Sequence, residues 1–242
     1  MNKSLVALLD ALKKVVLGLQ PNQNNLSFTL LIGKTGQGKT ALLRHNTHLH
    51  TPITAERTAD IYHNAQGIIL ELDEAWLSQS TTLLQQTLKQ LNHCHRALRI
   101  TGLLLVIDIN ELMVRTPNEL LKQTQSHTQF LQRFGRALGY VVETGFILTK
   151  LDRLAGFYDF FQHDKRLDQG KPLGFSIDWG QKKGQLANNY HARFEYLLES
   201  LSQDILQKIH RVRSSRKRSL IREFPLQLAN FHPAIECLIK QI

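Results

Sequence analysis

A chain of 242 residues, 42% of them hydrophobic, has room for one α/β domain and a small extension and can bury a sizeable core. Thirty lysines and arginines against 20 aspartates and glutamates give a net charge of +10, which points to an anionic partner: a nucleotide, a nucleic acid or a phospholipid surface. The two cysteines, Cys94 and Cys237, exclude a disulfide framework, and no apolar run approaches the length of a bilayer span.

Residues 3–19 place Leu5, Leu8, Leu9, Leu12, Val15, Val16 and Leu19 on one face of a helix, with Lys13 and Lys14 off it. Pro21 and a run of Asn and Gln end it, so residues 1–25 read as an amphipathic helix and linker. Its polar face carries little charge. It is therefore expected to pack on the domain edge rather than lie on a membrane or a partner.

Next, the apolar strand Ser27–Ile32 runs into Gly33-Lys34-Thr35-Gly36-Gln37-Gly38-Lys39-Thr40, which fits the phosphate-binding loop pattern without a substitution. Glycines leave backbone N–H groups free to curl around phosphate oxygens. The following helix, about 38–46, directs its positive end at the same anion. Lys39 would meet the β- and γ-phosphates, and the Thr40 hydroxyl would ligate Mg²⁺. The expected ligand is a nucleoside triphosphate with Mg²⁺.

A polar segment runs from there to Asp60 and holds Thr47, Thr51, Thr54 and Thr58. It reads as a loop in which one threonine would touch the metal, and the four stay equivalent on sequence. Gly67–Leu72 reads as a short buried strand ending in Asp73-Glu74. Period two puts Glu71 and Asp73 on one side of it, where either would reach Mg²⁺ through water. This acidic end replaces the Asp-x-x-Gly of GTPases and lacks the glycine that senses a γ-phosphate. A helix is expected over 78–96. The strand Leu103–Ile107 ends in Asp108, a second candidate for the metal-side acid, although capping the strand suffices to explain it.

Thr116 as N-cap and Pro117 at the first position open a long helix to about Leu138. Tyr140–Leu148 reads as a central strand. It runs into Thr149-Lys150-Leu151-Asp152, which resembles the guanine-specificity element of GTPases. Its carboxylate would accept two hydrogen bonds from guanine that adenine cannot offer. Ala155–Phe161 reads as a short aromatic helix and Leu173–Ile177 as a last strand. A helix from Asn188 to about Arg222 ends in Lys208, Arg211, Arg213, Arg216, Lys217, Arg218 and Arg222, with Phe224-Pro225 breaking it. That basic run lacks stacking aromatics, so no nucleic-acid partner is expected. Two pairs, His48/His50 and His93/His95, read as surface histidines rather than a zinc site. No nucleophile–His–acid set is present, no catalytic residue is assigned, and Gln79 is the nearest glutamine to a water-positioning place.

The fold expected is α/β: a P-loop, GTPase-like, mostly parallel sheet flanked by helices over 26–185, with a C-terminal helical extension over 186–242. Leu148–Phe161, with its Thr-Lys-x-Asp, Gly156-Phe157 and Phe160-Phe161, joins Gly102–Ile107, Leu173-Gly174-Phe175 and Phe224-Pro225-Leu226-Gln227-Leu228. Together they resemble the cytoplasmic domain of the IcmF/TssM family, inner-membrane components of type IVB (Dot/Icm) and type VI secretion systems. The resemblance spans about Leu26 to the C-terminus, and the acidic strand end and short form resemble the type IVB branch more closely.

The resemblance implies a place on the cytoplasmic face of the bacterial inner membrane and a membrane-protein partner of the IcmH/DotU (TssL) type. It also implies membrane anchoring through parts absent from this chain, making it a domain of a longer protein or a short relative. It matches Gly33, Gly38, Lys39 and Thr40 to the family's phosphate loop and Thr149, Lys150 and Asp152 to its base-recognition element. Type VI relatives often carry Asp-Thr-Ala-Gly where this chain has Glu71–Glu74. The function implied is a nucleotide-binding domain that stabilises or switches a secretion complex; the alternative is an active GTPase or ATPase energising its assembly.

Overall fold

The computed structural model describes residues 3–19, 26–46, 48–50, 52–56, 59–77, 80–95, 98–113, 117–162, 173–177 and 183–240. The chain divides into two compact units, one made of residues 1–108 and 129–149, the other of 109–128 and 150–242.

The first unit holds a six-stranded sheet in the order β2-β3-β4-β1-β5-β6. Its strands are β1 (Leu26–Gly33), β2 (Ile53–Glu56), β3 (Ala59–Asn64), β4 (Gly67–Asp73), β5 (Leu98–Asp108) and β6 (Glu143–Thr149). β4, β1, β5 and β6 run parallel, while β2 and β3 add an antiparallel hairpin at one edge. This is the α/β, mostly parallel sheet flanked by helices that the sequence led us to expect.

The central strands β4, β1 and β5 are apolar over most of their length, as burial on both faces requires. Phe28, Leu30, Leu31, Ile32, Leu70, Leu72, Leu105, Val106 and Ile107 are all buried. On one side, Leu31, Leu43, Tyr62 and Val106 form a buried cluster. Helix α1 (Lys3–Gly18) lies against β2, β3 and α4 (Thr81–His93). It buries Leu5, Leu8, Leu12, Val15 and Val16, each worth about 1.5–3 kcal/mol of apolar burial. That is the expected edge packing. Leucine-rich spacing built the helix, and the sheet consumes its apolar face.

Four sequence expectations need correction here. Of the segment read as a loop up to Asp60, residues 53–56 and 59–60 are strand. They belong to the β2–β3 hairpin, held by the buried Ile61 and Tyr62 and a β3–β4 pairing from Ala59↔Leu72 to Asn64↔Gly67. β6 is an edge strand, not a central one, and its residues are only partly covered. Residues 173–177 form no strand; Phe175 instead packs its ring on Tyr190 and Phe194. The long basic helix is interrupted earlier than its proline.

That last correction belongs to the second unit, which is largely helical. It contains α5 (Ile109–Leu112), the first half of α6 (Pro117–Leu138), a 3-10 turn (Leu151–Arg153) and α7 (Phe157–Phe161), then α8 (Lys183–His210), α9 (Ser215–Ala229) and α10 (His232–Lys240). The break falls at 211–214, where Ser214 caps α9 by accepting from the Lys217 amide and Arg218 Nε donates to the Val212 carbonyl at 2.7 Å. Pro225 sits inside α9, buried. Local capping decided the boundary, and tertiary packing around Phe224 overrode the proline signal.

Candidate functional site

β1 ends at Gly33 and the chain turns through Lys34–Gly38 into α2 (Lys39–Arg44). Gly36 and Gly38 take φ of 81° and 87°, the left-handed region that favours glycine. Gly33 is required for space: a Cβ there would meet Gln37 Oε1 at 2.6 Å and the Val106 carbonyl at 2.9 Å. Gln37, expected among the phosphate-contacting residues, is instead buried and folds inward. Its Oε1 accepts from the Lys34 amide at 2.6 Å, so its side chain braces the loop.

Lys39 curls back over the loop and donates to the carbonyls of Gly33 at 2.6 Å and Lys34 at 2.8 Å. Only 6% of it is exposed. Burial pushes its ammonium below the usual lysine range, while the carboxylates of Asp73, Glu71 and Glu74 pull the other way.

The acidic end of β4 faces this loop because β4 pairs with β1 from Ser27↔Gly67 to Gly33↔Asp73. Glu71 is 8% exposed, and its Oε1 accepts from the Thr40 hydroxyl at 2.7 Å. Glu71 Oε2 is buried without a hydrogen-bond partner among the described residues. Asp73 accepts from the Thr35 hydroxyl through Oδ2 and from the Ala75 amide through Oδ1 at 2.9 Å, which caps the short helix α3 (Glu74–Leu77). Thr35, Gly36, Gly38, Lys39, Thr40, Ala41, Ala59, Asp60, Glu71 and Asp73 line an open cleft of about 400 Å³. Asp60 was missed in the sequence because it lay in what looked like a loop; the β3–β4 register opposite Glu71 brings it in.

The structure therefore joins the phosphate loop, Glu71 and Asp73, as period two implies. Asp108 is buried at the end of β5, opposite Thr149, and is not among the cleft's lining residues. Thr54 is a strand residue paired with Asp60, while Thr47, Thr51, Thr58 and Gln79 lie outside the described residues. No cluster of three His, Cys, Asp or Glu side chains fit for a metal occurs among the described residues.

Thr149, the last residue of β6, donates to the Gln37 carbonyl at 2.7 Å, with the Ile107 carbonyl at 3.3 Å. Its hydroxyl thus holds the phosphate loop. Lys150 and Asp152 follow in the second unit. Lys150 has φ 59°, the one positive-φ residue other than glycine among those described. It caps the 3-10 turn that presents Asp152, which is exposed.

The model of a family described as the IcmF-related N-terminal domain matches residues 78–242, about two thirds of the chain. The chain belongs to that family. The matched span covers the Thr149–Asp152 element but not the phosphate loop at 33–40. The IcmF-related chain is also 24% identical, over 253 residues, to the type VI secretion system component TssM1 of Pseudomonas aeruginosa. That match takes in 95% of this chain and 22% of TssM1, so the chain spans about a fifth of its curated relative. Among solved structures, a small COPII coat GTPase Sar1 from Encephalitozoon cuniculi, in complex with GDP, matches 58% of this chain and 77% of its own. Its identity is 9% and its TM-score 0.30, too distant to inform fold or ligand.

The IcmF-related motifs have a structural role in the second unit. Phe157, Phe160 and Phe161 pack their rings on Phe224 at 5.1–5.7 Å between centroids. Gln227 Oε1 accepts from the Ala155 amide at 2.9 Å. Gly156, at φ 83°, lies directly against the Leu220 carbonyl, which leaves no room for a Cβ. Lys208 sits over the Phe160 ring at 4.4 Å and Lys217 pairs with Asp159 at 3.5 Å. Arg211, Arg213, Arg216 and Arg222 stay exposed.

Proposed function

We propose that this IcmF-related chain is a nucleotide-binding domain, taking GTP with Mg²⁺, that stabilises or switches an inner-membrane secretion complex. The observation that carries this reading is the closed phosphate loop. Its glycines adopt the left-handed turns, its lysine is folded over the loop carbonyls, and two acids of β4 bond to its hydroxyls. The role in a secretion complex rests on family membership.

Phosphate oxygens would take the loop amides and Lys39 in place of the carbonyl contacts Lys39 makes here. The donor set suits Mg²⁺: all ligating atoms are hard oxygens, and Glu71 Oε2 is buried and unmatched. Thr40 would hold the ion directly, with Glu71 or Asp73 supporting it. The ion would offset phosphate charge there.

Guanine selectivity is assigned to Lys150 and Asp152, supported by the left-handed Lys150. A lysine at positive φ is uncommon, and such strain clusters at binding sites. Thr149 opens the same element, and its hydroxyl bonds the Gln37 carbonyl. The exposed arginines of 211–222 would face the anionic cytoplasmic leaflet, and an IcmH/DotU (TssL)-like membrane protein is the proposed partner. Among the described residues no helix is long and apolar enough to cross a membrane, so anchoring is assigned to other parts of the protein.

The test is one titration series with GTP, ATP, GDP and ADP, with phosphate release followed on the same sample. Tight Mg²⁺-GTP binding with negligible turnover supports the reading. Steady turnover lost in Lys39→Ala replaces it with an energising GTPase or ATPase, and no nucleotide binding at all sinks it.

A further inference from the structure

The phosphate-loop reading leaves one arrangement unexplained. The side chains around Lys39 are mostly anionic: Asp60, Glu71 and Asp73 line the cleft, and the Glu74 carboxylate acts on the Lys39 ammonium. Glu71 is bonded directly to the hydroxyl that a phosphate-loop threonine offers to the metal bridging β- and γ-phosphates. Asp73 is bonded to Thr35 at the head of the loop. Both carboxylates are anchored by these bonds, and Asp73 also by the Ala75 amide. Neither is free to swing away as a surface side chain would. Glu71 is over nine-tenths buried and keeps one oxygen unpartnered among the described residues while lining the cleft.

A diphosphate ends at the β-phosphate, over the loop amides and Lys39. A triphosphate adds one net negative charge and would bring a doubly charged terminal phosphate toward the place where the Thr40 hydroxyl and Glu71 meet. In a partly buried cleft, like charges a few ångströms apart repel strongly, and only a cation between them removes the repulsion.

We propose that Glu71 and Asp73 form a charge gate for the γ-phosphate: without a divalent cation the loop accepts a nucleoside diphosphate and rejects the triphosphate. Thr40 and the unmatched Glu71 oxygen would hold a divalent cation, whose charge would offset that of the carboxylates and the terminal phosphate. The free cation level thus selects which nucleotide the chain holds. An Asp-x-x-Gly end has one acid at the place of Glu71 and a glycine at the place of Glu74, and would discriminate less. The gate rests on the phosphate-loop reading, and the experiment separates the two.

The experiment is calorimetric titration of the full chain with GDP and with a non-hydrolysable GTP analogue, and with the matching adenine pair, in EDTA and in Mg²⁺. Wild type is expected to bind the diphosphate at least about tenfold more tightly than the triphosphate in EDTA, and to lose that preference in Mg²⁺. Glu71→Gln removes charge and keeps an acceptor for the Thr40 hydroxyl; Asp73→Asn removes charge and keeps one acceptor, enough for either the Ala75 amide or the Thr35 hydroxyl. Each should raise triphosphate affinity in EDTA by a larger factor than diphosphate affinity, so that the preference for the diphosphate shrinks. Equal affinities in EDTA, or a preference that survives both variants, overturn the gate while leaving the phosphate loop intact. Nucleotide binding that Lys39→Ala does not alter, or absence of binding in every condition, removes the loop reading and the gate with it.

Discussion

The Thr149 hydroxyl, at the end of β6, donates to the carbonyl of Gln37 inside the phosphate loop at 2.7 Å, across 112 residues of sequence. A residue proposed for base recognition therefore also braces the loop proposed to hold the phosphates. Thr149→Val keeps the shape and removes the donor. We expect it to cost about 1 kcal/mol of stability and to weaken diphosphate as well as triphosphate binding. Urea melts and calorimetry check this; weakened guanine discrimination with unchanged phosphate affinity would contradict the bracing role.

Asp152 carries the guanine assignment. Asp152→Asn leaves one acceptor for two guanine donors and sets an NH2 donor against the other, so it should weaken GTP by about tenfold or more while leaving ATP little changed. Competition titration reads the ratio. Equal loss for both nucleotides would show that Asp152 does not read the base.

Gly156 is held by two independent demands, a φ of 83° and direct contact with the Leu220 carbonyl. Gly156→Ala should destabilise the second unit by about 1–3 kcal/mol, because a backbone atom cannot yield as a side-chain tip does. Gly36 also has positive φ but nothing within 4 Å of its absent Cβ, so Gly36→Ala should cost less. Denaturant midpoints of the two variants test the order.

Burial, with His191 beside it, holds the His232 imidazole below its ordinary value, against the opposing pull of Glu236 and Glu195. His63 is lowered in the same way by burial and by His50. As pH falls below about 6.5 the unfolded chain takes up protons first, so stability present above that pH is lost as it drops through the lower folded values. Melts at pH 7.5 and 5.5 should show a fall in stability at the acid end, and His232→Gln should shrink it. A stability that rises on acidification would contradict the burial of both rings.

The turn between β1 and α2 was legible because its glycines stand in one short run of sequence, Gly33 to Thr40, and Gly36 and Gly38 take the positive φ they permit. The parallel strands were legible because burial on both faces leaves an uninterrupted apolar run, as in Leu103–Ile107. The β2–β3 hairpin was not: an edge pair buries one face only, and Thr54, Asp60 and His63 disguise it as loop. Asp60 reaches the cleft only through a register that no local pattern encodes. Gln37 and Thr149 carry the residue types of ligand contacts, yet their bonds go to the Lys34 amide and the Gln37 carbonyl. Pro225 reads as a helix end, but the capping at Ser214 and the packing of Phe224 among Phe157, Phe160 and Phe161 set where the helices stop.

The central claim is that Lys39 and its loop hold the phosphates of a nucleotide. Calorimetric titration of Mg²⁺-GTP into wild type and Lys39→Ala, both shown to be folded by their melts, tests it most directly. The account predicts saturable one-site binding in wild type and at least about a hundredfold loss in the variant, the worth of two charge-assisted hydrogen bonds. Equal affinity in the two proteins would contradict it.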